Sequence, residues 1–215
     1  MQKPVKRTPL RIFVGMQYYK FKRSLIWYLS VYKWARTYRD EELDYIAFLH
    51  KTPLIRKLKS VDMWMQYNKI TNLKIATSIL NGITVYPGET LSFWRLLGKP
   101  SSQKGYVEGM VLSNGRVQAG IGGGLCQLSN LIYWMTLHTP LTVTERYRHS
   151  YDVFPDNDRS LPFGSGATCA YNYIDLQIHN NTDQPYQLLV YLTDKHLAGE
   201  WKTDRKPEYT YEVYE

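Results

Sequence analysis

The chain is nearly without cysteine: two thiols, Cys126 and Cys169, in 215 residues. Two thiols make at most one bond, so no disulfide framework holds this fold, and a reducing compartment suits it. Neither thiol stands at ligand spacing from a histidine pair, so no metal is expected, and no motif points to a cofactor. Long apolar runs are missing too. The stretch from Leu25 to Tyr32 falls far short of the ~20 residues that cross a bilayer. No apolar core with a small-residue cleavage site follows the basic start. A cytoplasmic protein, or one peripheral at the cytoplasmic face of the membrane, is expected.

Acid is scarce at one end. Fourteen of the 27 lysines and arginines fall in the first 60 residues, where the only acids are Asp40, Glu41, Glu42 and Asp44. The net charge of +8 therefore belongs to this segment, and the remainder is slightly acidic. The same 60 residues are rich in aromatics, among them Phe13, Tyr18, Phe21, Trp27 and Trp34. Such a segment can lie against anionic lipid headgroups, or present a solvated basic face with its rings packed on the next domain. No clean hydrophobic period is visible, which favours the second arrangement. Nucleic acid is not an expected partner, since no binding signature accompanies the charge.

Beyond residue 60 the pattern is that of an α+β domain, residues 61–215, with residues 1–60 as a separate basic, aromatic-rich segment. Ile70, Leu73, Ala76 and Leu80 mark a helix over 68–80 that Asn81-Gly82 closes. A strand over 83–86 meets the turn Pro87-Gly88. Residues 111–118 read as a hairpin around Ser113-Asn114-Gly115. Leu125, Leu128, Ile132 and Met135 then mark one buried face of a second helix, stopped by Thr139-Pro140. Strands follow over 141–148, 173–178 and 188–192. An antiparallel sheet packed on a helix led by Cys126 is the expected architecture.

That position is chemically suggestive. A thiol reacts as its thiolate, and a helix amino terminus offers partial positive charge and unpaired N–H groups. Gly122, Gly123 and Gly124 bring no side chain to block a substrate, so their amides form a candidate oxyanion cradle. Gln127 and Ser129 of the same run complete the candidate substrate set. Cys126, Asn130 and Tyr133 lie off the leucine stripe, which aims the thiol away from the core. A buried structural cysteine is the plain alternative.

A cysteine nucleophile needs a base, usually histidine. His138 lies twelve residues down the same helix, about 18 Å away, and is excluded. His149 follows Pro140 by nine residues; an extended return covers about 30 Å and carries it back past the helix start. Asp152, Asp156, Asp158 and Asp175 are near enough to orient the imidazole, with Asp152 entered as the third member of the candidate triad.

The run Gly122-Gly-Gly-Leu-Cys-Gln-Leu-Ser129 closely resembles the GGGxCQxS signature of the VanW family. Tyr86-Pro-Gly-Glu-Thr-Leu-Ser-Phe93, Glu145-Arg-Tyr-Arg-His-Ser150 and Gly164-Ser-Gly-Ala-Thr168 agree in order and spacing, so the resemblance covers roughly residues 65–195. It implies glycopeptide resistance and cell-wall peptidoglycan. Some larger members are regarded as L,D-transpeptidases that use the signature cysteine, which by position is Cys126, with His149 as the histidine of the Arg-x-x-His-Ser pattern. Many members read G-x-D-A-T where this chain has Gly166, so a family aspartate is missing here.

Three functions are carried forward. The first is a cysteine-dependent acyl transferase or peptidase acting on peptidoglycan stem peptides or their precursors. The second is a non-catalytic module that binds such a precursor. The third is a basic adaptor in peripheral contact with an anionic membrane.

Overall fold

A computed structural model describes residues 8–29, 32–56, 62–113, 116–148 and 166–214. His149 and Asp152 lie outside the described residues, as do Asp156, Asp158 and the turn residues Asn114 and Gly115.

The fold is α+β. The elements in chain order are α1 (Pro9–Leu29), β1 (Lys33–Trp34), β2 (Thr37–Tyr38), β3 (Tyr45–Pro53), α2 (Met63–Leu80), β4 (Ile83–Val85), β5 (Glu89–Ser92), α3 (Phe93–Leu97), β6 (Glu108–Ser113), β7 (Arg116–Ile121), α4 (Cys126–Leu137), β8 (Thr142–Glu145), β9 (Gln177–His179), β10 (Tyr186–Leu192) and β11 (His196–Thr203). A five-stranded sheet runs β2-β4-β10-β11-β3, and a four-stranded sheet runs β1-β5-β9-β8. β6 and β7 pair as a separate hairpin. All pairings are antiparallel except β1 with β5.

Two expectations change. The single sheet becomes two sheets and a hairpin. The boundary at residue 60 does not divide the sheets, because β1, β2 and β3 all come from the basic segment and pair with strands of the following one. β3 joins β11 along its full length.

The helices form where the apolar positions place them. Leu73, Ala76 and Leu80 of α2 are fully buried, and α2 lies against β10 and the β6 strand. Gly82 ends this helix with φ +84°, a conformation a side chain resists. Leu128, Leu131, Ile132 and Met135 line the buried face of α4, which packs on β11 and β3. Each such side chain contributes about 1.5–3 kcal/mol relative to exposure. At Gly199 of β11 an added Cβ would fall 2.8 Å from the Met135 methyl carbon, so glycine sets how near α4 approaches the sheet. Trp201, fully buried, donates its indole N–H to Thr136 of α4 at 3.1 Å.

α1 is tied on by one side only. Arg23 makes a bidentate pair with Glu145 of β8, and Trp27 packs near Tyr171 with ring centroids 6.3 Å apart. Ile26 packs beside it at the edge of the core, whereas Phe13, Tyr18 and Phe21 stay exposed, so the expected packing of the aromatics onto the domain holds for Trp27 and not for those three. No helix among the described residues is long and apolar enough to cross a membrane.

Candidate functional site

The glycine run leads from β7 into α4, and the reason for glycine is close packing. A Cβ on Gly123 would sit 2.1 Å from the carbonyl carbon of Gly109. One on Gly124 would sit 2.2 Å from Cγ of Lys69, and one on Gly122 would sit 2.7 Å from Cβ of Pro100. Gly122 and Gly124 also have positive φ, +76° and +92°. The buried Asn72 of α2 clasps this turn: its amide donates to Gly123 O at 2.9 Å and Val107 O at 3.0 Å, and its oxygen accepts from Val107 N.

This geometry revises the expected glycine cradle. Gly122 N–H donates to Val107 O, Gly123 N–H to Gly120 O and Gly124 N–H to Met110 O, at 2.9–3.0 Å. All three donors are spent within the turn. Gln127 and Ser129 are likewise positioning residues. Gln127 donates to Thr52 and to Pro53 O, fastening α4 to β3. Ser129 is fully buried, beyond the reach of a substrate, and donates to Ala167 O at 2.7 Å.

Cys126 begins α4 and is half-buried. Its face of the helix looks away from the leucine stripe, as expected, but meets protein. The segment 166–169 is laced along it, with Ala167 N donating to Asn130 Oδ1 at 2.7 Å. A Cβ on Gly166 would fall 2.9 Å from that same Oδ1, so Asn130 fills the room beside Gly166 where relatives of the resembled family carry aspartate. Arg146 completes the lacing through Gly166 O at 2.9 Å and lies over the Tyr133 ring.

Cys169 is the residue the sequence reading passed over. Its sulfur lies 3.7 Å from that of Cys126 and 3.5 Å from Ser129 Oγ. The hydrogen bond to Cys126, with burial next, pushes the Cys169 thiol well above its ordinary range. The signal was available: Cys169 directly follows the Gly-Ser-Gly-Ala-Thr run. Lys69 is a second omission. It is buried beside Gly124, bonded at 2.8 Å to Gln66, and lowered to about 8 by burial and then by Arg56.

The described histidines have other neighbours. His138 stacks on Phe48 and bonds Tyr211 O, His179 bonds Thr90 and is half-buried rather than solvent-facing, and His50 lies near Trp134. Chain reversal after α4 is nevertheless observed. Thr168 N–H donates to Tyr147 O at 2.7 Å, which sets the main chain at Tyr147 beside the residue preceding Cys169. Asp175 is not open to an imidazole. Buried throughout, it accepts from Ser92 at 2.6 Å, Trp94 N at 3.0 Å and Leu176 N at 2.9 Å, and burial raises it to about 6. It organises the step from β5 into α3. Among the described residues no cluster of side chains is suited to a metal.

Comparison with known proteins gives a concordant result. A family model described as VanW like protein matches residues 68–202. Over 180 residues, 84% of this chain, the sequence is 38% identical to the Vancomycin B-type resistance protein VanW of Enterococcus faecalis strain ATCC 700802 / V583, of which the match covers 66%. Over 117 residues, 53% of this chain, it is 28% identical to the uncharacterized protein YoaR of Bacillus subtilis strain 168, of which it covers 36%. The chain thus spans less than two thirds of the length of these relatives. No solved structure matches.

Proposed function

The chain belongs to the VanW family, and from that premise we propose that it is a cysteine-dependent acyl-transfer enzyme acting on peptidoglycan stem peptides or their precursors, in the service of glycopeptide resistance. The similarity to a protein named for vancomycin resistance supports the biological setting. One observation carries the chemistry. The Cys126 sulfur stands at the start of α4 beside a second thiol, Cys169, that is held in its protonated form. A half-buried S–H donor and the helix terminus both favour negative charge on Cys126. His149, following the main chain paired at Tyr147, is the general base of this reading, and Asp152 orients it.

In the reaction the Cys126 thiolate attacks the acyl carbon of a stem-peptide amide. The protonated imidazole gives its proton to the departing amine, leaving a thioester. An acceptor amine or water then attacks the thioester, imidazole takes the incoming proton, and the sulfur leaves as thiolate. The glycine amides do not supply the oxyanion donors, and the Gln127, Leu128 and Ser129 amides of the first turn are bonded to Gly124 O and Leu125 O, so the helix terminus acts on the developing charge through its dipole.

The test is electrophile labelling followed by mass spectrometry at neutral pH. Cys126 labels at least tenfold faster than Cys169 under this reading. Equal, slow labelling of the two would remove it.

One observation favours a second reading, a precursor-binding module without catalysis. The glycine amides are occupied, and Asn130 fills the space beside Gly166. Resistance that survives Cys126→Ser would decide for it.

A further inference from the structure

α1 carries an apolar stripe that none of the described residues covers. Leu10, Val14, Tyr18, Phe21, Leu25 and Tyr28 recur at three- and four-residue spacing and so share one face. Their exposure runs from 40% at Leu25 to 80% at Tyr28. An uncovered apolar patch of this extent marks an interaction site. At 100° per residue, Arg11 and Lys22 border one side of the stripe, while half-buried Lys20 lies about 20° from Trp27, on the docked face. The helix contains no acid. The opposite face is fixed to the domain through Arg23 and Trp27, so the stripe is held outward.

A second feature adjoins the stripe. Tyr28 also lines a cleft of about 370 Å³ together with Trp27, Arg36, Trp94, Arg95 and Tyr171. The Arg95 guanidinium lies 5.7 Å from the Tyr28 ring centroid and 5.5 Å from that of Trp34, a sandwich that leaves its N–H edge available. Arg36 acts on Arg95 as a like charge, and among the described residues no carboxylate pairs with either. Trp27 and Trp34, each 7% exposed, keep buried indole N–H groups with no acceptor. Two guanidiniums without a carboxylate partner among the described residues, set beside aromatic rings, form a receptor for a phosphate oxyanion.

We propose that α1 seats the protein on an anionic lipid bilayer, its apolar stripe at the headgroup boundary and one lipid phosphate in the Arg36–Arg95 cleft. Tyr28 belongs to both features and joins them. Charge complementarity selects this occupant. Stacking the stripe on a second copy would set Arg11 and Lys22 against their own kind, whereas phosphate headgroups neutralise them.

The experiment is flotation of the full chain with vesicles of phosphatidylcholine alone or mixed with phosphatidylglycerol. Binding requires phosphatidylglycerol and weakens with salt. It falls on the order of fivefold per basic residue neutralised, in Arg11→Gln, Lys22→Gln and Arg36→Gln/Arg95→Gln. Phe21→Ser also weakens it, and an unchanged unfolding temperature shows that this exposed position does not disturb the fold. Four results overturn the proposal: no binding at low salt; binding indifferent to these variants; full displacement by millimolar inorganic phosphate, which makes free phosphate the ligand; or self-association abolished by Phe21→Ser, which makes a second copy the occupant. Cys126→Ala leaves vesicle binding unchanged, so failure here is separable from failure of the acyl-transfer reading.

Discussion

The sulfurs of Cys126 and Cys169 approach to 3.7 Å although 43 residues separate them, and only Cys169 is also in reach of a serine hydroxyl. The pair is therefore asymmetric. Either sulfur can donate in this contact, and the Cys126 sulfur also lies 3.7 Å from Cys169 O; the bond to Cys126 and burial raise the Cys169 thiol, which makes it the expected donor when Cys126 ionises. Removing that donor in Cys169→Ala is expected to slow alkylation of Cys126 roughly tenfold at neutral pH, the worth of one hydrogen bond to a charged group. The midpoint of its pH–rate profile is expected to move upward. Cys169→Ser retains a donor and restores most of the rate. A rate and profile unmoved by Cys169→Ala would reduce Cys169 to packing.

Lys69 makes a second case for linked chemistry and stability. Its folded value of about 8 lies below the ordinary 10.5 because burial, and then Arg56, disfavour the cation. A base depressed in this way penalises the folded state fully below pH 8, and the penalty fades as pH rises from 8 to 10.5. Lys69→Met removes the charge and keeps an unbranched stem against Gly124. Denaturant unfolding is expected to show its advantage over the parent shrinking across that window by roughly 3 kcal/mol. A difference constant with pH would mean the lysine finds water or an anion in the folded state.

Asp175 titrates in the opposite sense. Burial raises its folded value to about 6 from 3.8, outweighing the bonds from Ser92 and Trp94 N. The stability this contributes is fully present below pH 3.8 and is lost as pH rises through 6. Asp175→Asn keeps an oxygen for the Trp94 and Leu176 amides and cannot ionise. It should gain on the parent by roughly 3 kcal/mol between pH 4 and pH 7. Parallel pH–stability curves for the two proteins would contradict this assignment.

These groups also show where the sequence could be read. α2 and α4 were legible because Leu73, Leu80, Leu128, Ile132 and Met135 each bury one face at helical spacing. β8 and β10 were legible from alternation and turn residues, whereas of the strand expected over 173–178 only its last two residues lie in β9 (Gln177–His179). α1 was not, because Ile12 and Tyr19 add further exposed apolar groups and Met16, Ile26 and Trp27 put others on the docked face, which together hide the period of the exposed stripe. β1 and β2 are two residues each, too short for any alternation, and their pairing with β5 and β4 is a long-range choice.

At the site, the cysteine and the chain reversal after α4 were readable from local pattern. The use of the glycine amides was not, because the β6–β7 hairpin runs past the expected 111–118 and its extension brings Val107 and Met110 onto the glycine turn. Cys169 and Asn72 act through partners at least 35 residues away, so local pattern carries no trace of their roles.

The glycine run offers the sharpest separation of packing from catalysis. Gly123→Ala places a methyl group 2.1 Å from backbone carbon and 2.3 Å from backbone oxygen of Gly109, atoms that cannot turn aside as a side chain can. A cost above about 4 kcal/mol, or failure to accumulate folded protein, is expected. Gly15→Ala supplies the contrast: it lies within α1 with nothing within 4 Å of the added carbon, and is expected to stabilise by about 0.5–1 kcal/mol. Thermal unfolding of the two variants beside the parent decides the matter. If Gly123→Ala folded with the parent's unfolding temperature yet lost Cys126 reactivity, the methyl group would have to be blocking a substrate rather than Gly109. The glycines would then be an anion cradle after all, with their amides released from Val107, Gly120 and Met110 when the substrate arrives.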